Sequence, residues 1–372
     1  VGDNTIRTQR RSLLKNVAAG GAMSAATFAN ILPVFGQDSD PITQGDIAIL
    51  RLLAAVEIIE TDLWLQYAEL GGTQDDELPG LPTGGSAAYT TALSNLDSDM
   101  PQYIHDNTED EISHQAFINA YLVSKGVDPI NLDAFRVLPS SKATGANQIG
   151  RLTNLMQLTV DTSWWTRYRS RNNNPDIERG FKFPQAVPSL FSGQFPAIPR
   201  SDADLAPTGH IQAIANTAAF HFGFIEQGGT SLYPTLAQKV TNLEVLRILL
   251  SIGPTETMHF QTWHDKAGNA VSDPLAPLTD PANPNLVFPN LNVPPFGGED
   301  FQTNLIMPEP CQFLDRKFPV VSIIRPTGVQ AGGAVATIKA FSNDGLFLGH
   351  SADFLRLLGD LAEDADRAQR GS

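Results

Sequence analysis

Two Glu-x-x-His motifs, Glu111-Ile-Ser-His114 and Glu256-Thr-Met-His259, constrain this chain more than anything else in it. Each follows a helix-like stretch in which a Glu stands seven residues before a Tyr: Glu60…Tyr67, then Glu226…Tyr233. On a helix, residues i and i+3 share a face, so Glu111 and His114 point to one side, as do Glu256 and His259. The order Glu, Glu-x-x-His, Glu, Glu-x-x-His therefore predicts four helices whose carboxylates and imidazoles converge on one interior. That is the ligand set of two metal ions held in a four-helix bundle. With 13 Glu and 7 His in 372 residues, chance supplies only about 0.24 pairs at the spacing of the bundle motif.

The expected metal ligands are Glu60, Glu111, His114, Glu226, Glu256 and His259, with Glu57 as the alternative to Glu60 one turn away. Carboxylate oxygens and imidazole nitrogens suit Fe²⁺ or Mn²⁺, and ligand chemistry does not separate the two. Four carboxylates balance the charge of two divalent ions. Without metal they would repel one another in the interior unless protonated. Tyr67 and Tyr233 are expected to pack or hydrogen-bond near the site, as core aromatics do. His221 and His264 are extra histidines on the last two bundle helices, expected in core or surface roles.

The net charge is −15, which argues against a basic nucleic-acid-binding face and is accounted for by solubility. One cysteine, Cys311, excludes internal disulfides and thiolate metal clusters. Near the N-terminus, Arg10-Arg11-Ser-Leu-Leu-Lys15 leads a weakly apolar Ala/Gly run from Val17 to Phe35, which resembles a twin-arginine export signal. Export to the periplasm or cell envelope is the expectation. Uncleaved, the segment would tether the protein to the membrane; no other stretch is apolar and long enough to span one.

Three regions are expected: a signal segment at 1–36, a bundle at 37–266 with an insertion at about 127–206, and a C-terminal extension at 267–372. Bundle helices are predicted at Asp46–Leu70, from Pro101 to about Ser124, from His210 to about Gln238, and at Glu244–Lys266, with a short helix at Ser86–Leu96. Within the insertion, Ile149–Tyr168 is predicted as one helix. Pro234 and Gly253-Pro254 are candidate kinks. Residues 267–310 lack clear periodicity. Val320–Ile324 and Ala334–Phe341 have strand-like composition, and Asp353–Gln369 reads as a closing amphipathic helix.

The segments Val56-Glu57-Ile-Ile-Glu60-Thr-Asp-Leu-Trp64 and Asp110-Glu111-Ile-Ser-His114-Gln-Ala-Phe117 resemble the first half of a ferritin-like domain. Phe224-Ile-Glu226 through Tyr233, with Leu249 through Glu256-Thr-Met-His259 to Trp263, resemble its second half. The resemblance is to the exported bacterial ferritin-like family, related to plant desiccation-associated and fungal stress-response proteins. It covers about 46–125 and 207–266. It implies an all-α, ferritin-like four-helix bundle with a di-iron or di-manganese site. The long insertion and extension depart from a minimal ferritin subunit. The leading expectation is an exported dimetal protein acting on O₂ or peroxide in metal or oxidative-stress handling, as a ferroxidase or, in its sharpest form, a manganese catalase. The alternative is a non-enzymatic structural or stress-protective module, an envelope assembly component or a homo-oligomer.

Overall fold

The structure is a computed structural model that describes residues 42–74, 78, 80–167, 184–293, 317 and 333–371. The helices are α1 (Gln44–Gly71), α2 (Ala87–Leu96), α3 (Met100–Ser124), α4 (Ser163–Arg167), α5 (Pro188–Ser192), α6 (Thr208–Ala237) and α7 (Leu243–Ala267). A two-stranded antiparallel sheet, β1 (Leu278–Thr279) and β2 (Val287–Phe288), is followed by α8 (Ala334–Asp344) and α9 (Ala352–Arg367). No helix among the described residues is long and apolar enough to cross a membrane.

Local sequence sets the ends of the bundle helices. α1 begins with a capping box: Thr43 Oγ1 accepts from the Asp46 N–H (3.1 Å) and the Asp46 carboxylate accepts from the Thr43 N–H (3.1 Å). α3 has Pro101 in its first turn and Gly126 beyond its last, at φ +75°. The Asn242 side chain accepts from the N–H groups of Glu244 and Val245 to start α7. α6 and α7 remain α-helical through Pro234 and Gly253-Pro254.

Contacts across the bundle fix its topology. Thr108 meets the backbone of Trp64, Gly229 faces Glu256, and Trp64 reaches Glu226. Trp263 reaches Asn107, while Tyr121 meets Glu244. Glu57 also meets His114 and Tyr233, and Gly253 faces Tyr233, so the pairs α1/α3, α6/α7, α1/α6 and α3/α7 are each antiparallel, and the long link between α3 and α6 crosses from one helical hairpin to the other. α1 is buried on nearly every side, because α3, α6, α2, α9 and the insertion all lie around it.

The insertion is held to α1 by buried polar groups. The Asp62 carboxylate accepts from the Leu152 and Thr153 N–H groups (2.9 Å each) and from Arg136 Nη1 (2.6 Å). Arg151 pairs with Glu69 at 2.5 Å, and both are buried. Trp164 lies over Gly223 of α6, where an added Cβ would come within 2.4 Å of the indole.

Two expected elements differ. Ile149–Tyr168 is not one helix: only Ser163–Arg167 is helical, and Tyr168 lies outside the described residues. Its backbone is satisfied elsewhere, with Arg151 pairing to Leu138, Leu152 and Thr153 bonding to Asp62, and Leu158 pairing to Phe195. Ala334–Phe341 is helix rather than strand, and Ala334, Thr337, Ile338 and Phe341 are buried at helical spacing. The two strands among the described residues lie in the stretch without periodicity. Val320–Ile324, Cys311 and Arg10-Arg11 lie outside the described residues.

Candidate metal centre

Two overlapping groups of buried donors lie between the four bundle helices. Glu57, Glu111, His114 and Glu256 form one, and Glu111, Glu226, Glu256 and His259 form the other. Within each group the donor atoms all lie within 4.8 Å of one another. Glu111 and Glu256 belong to both, while Glu57/His114 belong to the first alone and Glu226/His259 to the second. The arrangement has a pseudo-twofold relation between the hairpins α1–α3 and α6–α7.

Both histidines present Nδ1 to the cluster. His114 Nδ1 is 3.3 Å from Glu57, 3.2 Å from Glu111 and 3.3 Å from Glu256. His259 Nδ1 is 3.3 Å from both Glu111 and Glu226, while its Nε2 is 3.0 Å from Asp110. A carboxylate on the outer nitrogen fixes ring orientation and strengthens the inner nitrogen as a ligand. The position matching Asp110 in the second motif is Thr255, which brings no carboxylate to His114.

Of the sequence-predicted ligands, Glu111, His114, Glu226, Glu256 and His259 come together. Glu60 does not join either group: it is buried beside the cluster, and the first-helix donor in the group is Glu57. The reason lies in the aromatic register. Tyr233, seven residues after Glu226, donates to Glu57 Oε1. Trp64, seven residues after Glu57, donates from Nε1 to Glu226 Oε1 at 3.0 Å. The repeat is therefore Glu57/Trp64 with Glu226/Tyr233, each aromatic holding the carboxylate of the opposite hairpin. Tyr67 instead bonds His221 Nδ1 at 2.7 Å.

Asn107 escaped the sequence reading. Its Nδ2 donates to Glu111 (2.9 Å) and Glu226 (3.1 Å), and its Oδ1 accepts from Trp263 Nε1 (2.8 Å). The signal was its position four residues before Glu111, on the same helical face. Gly229 of α6 also lies against the site. A Cβ there would lie 2.6 Å from Glu256 Oε2, so the carboxylate rests directly against the α6 backbone.

The electrostatics are those of a site built for cations. Burial pushes Glu57 up to about 7, against the opposing pull of His114. Burial, then the charges of Glu256, Glu111, Glu57 and Glu226, raises Glu60 well above the ordinary carboxylate value. Burial likewise raises Glu226, with His259 opposing. Burial pulls both histidines down, but carboxylates outweigh it and raise each, Glu57 foremost at His114 and Glu226 at His259. Glu57 Oε2, Glu60 Oε1, Glu226 Oε2, both Glu256 oxygens and His259 Nδ1 are buried without a hydrogen bond. Buried oxygens and imidazole nitrogens that face one another at about 3.3 Å without completing hydrogen bonds fit a metal ion by donor chemistry.

The sequence model of the ferritin-like domain family matches residues 45–268, spanning all four bundle helices. No curated protein and no solved structure matches the chain. The matched span is more than half of the chain, and it carries the buried carboxylate–histidine cluster that could bind metal: the chain belongs to the ferritin-like domain family.

Proposed function

We propose that this protein binds two iron or manganese ions at Glu57, Glu111, His114, Glu226, Glu256 and His259 and uses them to reduce O₂ or hydrogen peroxide. The observation that carries this reading is the sharing of Glu111 and Glu256 between the two donor groups, which supports two cation positions side by side. Paired redox metals supply the electrons of O–O cleavage between them.

The chain's own residues do the rest. Asp110 orients His259, Asn107 holds Glu111 and Glu226 together, and Trp64 and Tyr233 hold the end carboxylates. Trp64, Phe222 and Trp263, in mutual ring contact, seal one end of the cluster from water. His114 (7% exposed) and His259 (9%) are the most exposed members, which makes the seam between α3 and α7 the side of entry for small oxidants. The same reading places the protein outside the cytoplasm, on the strength of Arg10-Arg11 and the apolar run that follows; fractionation of native cells tests that part.

Metal analysis of protein from its native host tests the core of the reading. About two equivalents of Fe or Mn per chain are expected from the bundle motif, together with peroxide or Fe²⁺ oxidation turnover that is lost in Glu111→Gln and Glu256→Gln. A folded chain holding less than about a tenth of an equivalent would overturn it.

A further inference from the structure

A second polar line crosses the core between α1 and α6, and the chemistry proposed above leaves it unused. Tyr67 Oη is 2.7 Å from His221 Nδ1, and His221 Nε2 is 3.1 Å from Asp344 Oδ2 at the end of α8. Tyr67 and His221 are fully buried and Asp344 is 2% exposed. A single tautomer satisfies both contacts: Nε2–H donates to Asp344, which leaves the Nδ1 lone pair to accept from the phenol. Three buried titratable groups are a costly way to tie helices together, and Asp344 Oδ1 is buried with no hydrogen bond at all. Burial raises the Tyr67 phenol well above its ordinary value, so it keeps its proton while it keeps its electrons.

The triad also adjoins the metal site through continuous aromatic contact. The Trp64 ring lies 5.7 Å from Tyr67, centroid to centroid, and its Nε1–H donates to Glu226. Phe222 packs against both rings, at 4.9 Å from Trp64 and 4.6 Å from Tyr67. An oxidised phenol is a strong acid, and the base in contact with its hydroxyl among the described residues is the imidazole of a histidine already backed by a carboxylate.

We propose that Tyr67 is a redox-active side chain that supplies one electron to the metal-filled site by way of Trp64 while passing its proton to His221. The inference rests on the proposed dimetal, peroxide-reducing function. Reduction of one hydrogen peroxide to two waters takes two electrons and two protons. One electron comes from Tyr67, the other from a bound metal ion, and both protons come from solvent. The Tyr67 proton moves from Oη to His221 Nδ1, giving a neutral phenoxyl radical beside an imidazolium paired with Asp344. A one-electron small-molecule reductant such as ascorbate reverses the step, and the proton returns to Oη.

The test is electron paramagnetic resonance of the full chain, loaded with iron and frozen after hydrogen peroxide is added. A narrow organic radical is expected, its hyperfine pattern altered by ring-deuterated tyrosine and its signal absent in Tyr67→Phe. In His221→Gln, at unchanged iron content, the yield should fall about 100-fold, the scale of a positioned base. That second variant keeps Tyr67 and covers the case in which Tyr67→Phe fails to fold. A radical that persists in Tyr67→Phe but vanishes in Tyr233→Phe overturns the inference. So does the absence of any radical while iron is bound and peroxide is consumed; in both cases the proposed function stands. Failure to bind iron or consume peroxide sinks that function and this inference with it.

Discussion

Glu57 and Glu60 sit one turn apart on α1, both buried, yet only Glu57 offers an oxygen to a donor group. The sequence makes the pair visible and favours Glu60 by its tyrosine seven residues on, with Glu57 as the alternative. In the structure the matched positions hold a tryptophan in one hairpin and a tyrosine in the other, each donating to the opposite carboxylate through its ring N–H or O–H. Glu57→Gln should therefore lower bound metal from about two equivalents to about one. Glu60→Gln should leave metal content unchanged, because the amide replaces a carboxyl that burial already favours as neutral. Metal analysis of the two variants checks both; equal losses would make Glu60 a ligand after all. Acidity gives a second prediction. Glu57 goes from 4.5 to about 7 on folding, and Glu60, Glu226, His114 and His259 shift in the same direction. Groups raised on folding contribute stability that is fully present below their unfolded values and is lost as pH rises through their folded values. The metal-free protein should lose stability from about pH 4.5 upward through 7, with Glu57 alone worth about 3 kcal/mol. Between pH 5 and pH 8 its Tm should fall by ~5 °C or more. Metal ions replace the protons, so the loaded protein should show the reverse trend in affinity, binding more tightly as pH rises. Thermal melts with and without chelator across that range decide it; a metal-free Tm that rises with pH would contradict the assignment.

Among the elements, the four bundle helices were legible because their apolar faces, caps and breakers agree. α8 was misread although the signal was there. Its β-branched residues suggested a strand, but the buried set 334, 337, 338 and 341 has helical period, and Gly345 at φ +91° closes the helix. Ile149–Tyr168 carried no comparable signal. Its extended path depends on Asp62, some 90 residues earlier on α1, and no local window contains that partner. α6 illustrates the reverse, a local rule broken for the site. Gly228-Gly229 weakens a helix by about 1 kcal/mol per glycine relative to alanine, so Gly229→Ala would normally stabilise α6. Here the new Cβ would lie 2.6 Å from Glu256 Oε2. Gly229→Ala is expected to keep its helix content by circular dichroism while losing at least half of its bound metal, since Glu256 serves both donor groups. Full metal content in that variant would show that Glu256 can shift without cost.

At the scale of the whole molecule, the C-terminal segment that the sequence set apart as an extension is packed into the bundle. α9 lies along α1 and buries Phe354, Leu358, Leu361, Ala362 and Ala365. α8 places Asp344 against His221, and His350 Nε2 bonds the Leu152 carbonyl of the insertion at 2.7 Å. The link between extension, insertion and bundle could not be read from the chain, because each of these partners is a lone polar residue with no motif. Its energetic weight can be bounded. Burying three large apolar side chains of α9 contributes about 5–9 kcal/mol as an upper figure, against a net stability of about 5–15 kcal/mol for a whole domain. Removing α9 also uncovers the outer face of α1, the helix that carries Glu57. A chain limited to residues 37–266 keeps every proposed metal ligand, yet it is expected to melt far below the full-length protein or to fail to fold cooperatively, and to bind metal only weakly. Thermal denaturation and metal content of that fragment measure the dependence directly. A cooperative melt within about 5 °C of the full chain, with two ions retained, would instead make the bundle a self-sufficient unit and the C-terminal helices an appendage. The packing of α9 on α1 argues for the first outcome: the ferritin-like bundle of this chain is completed by residues that lie outside the span its family shares.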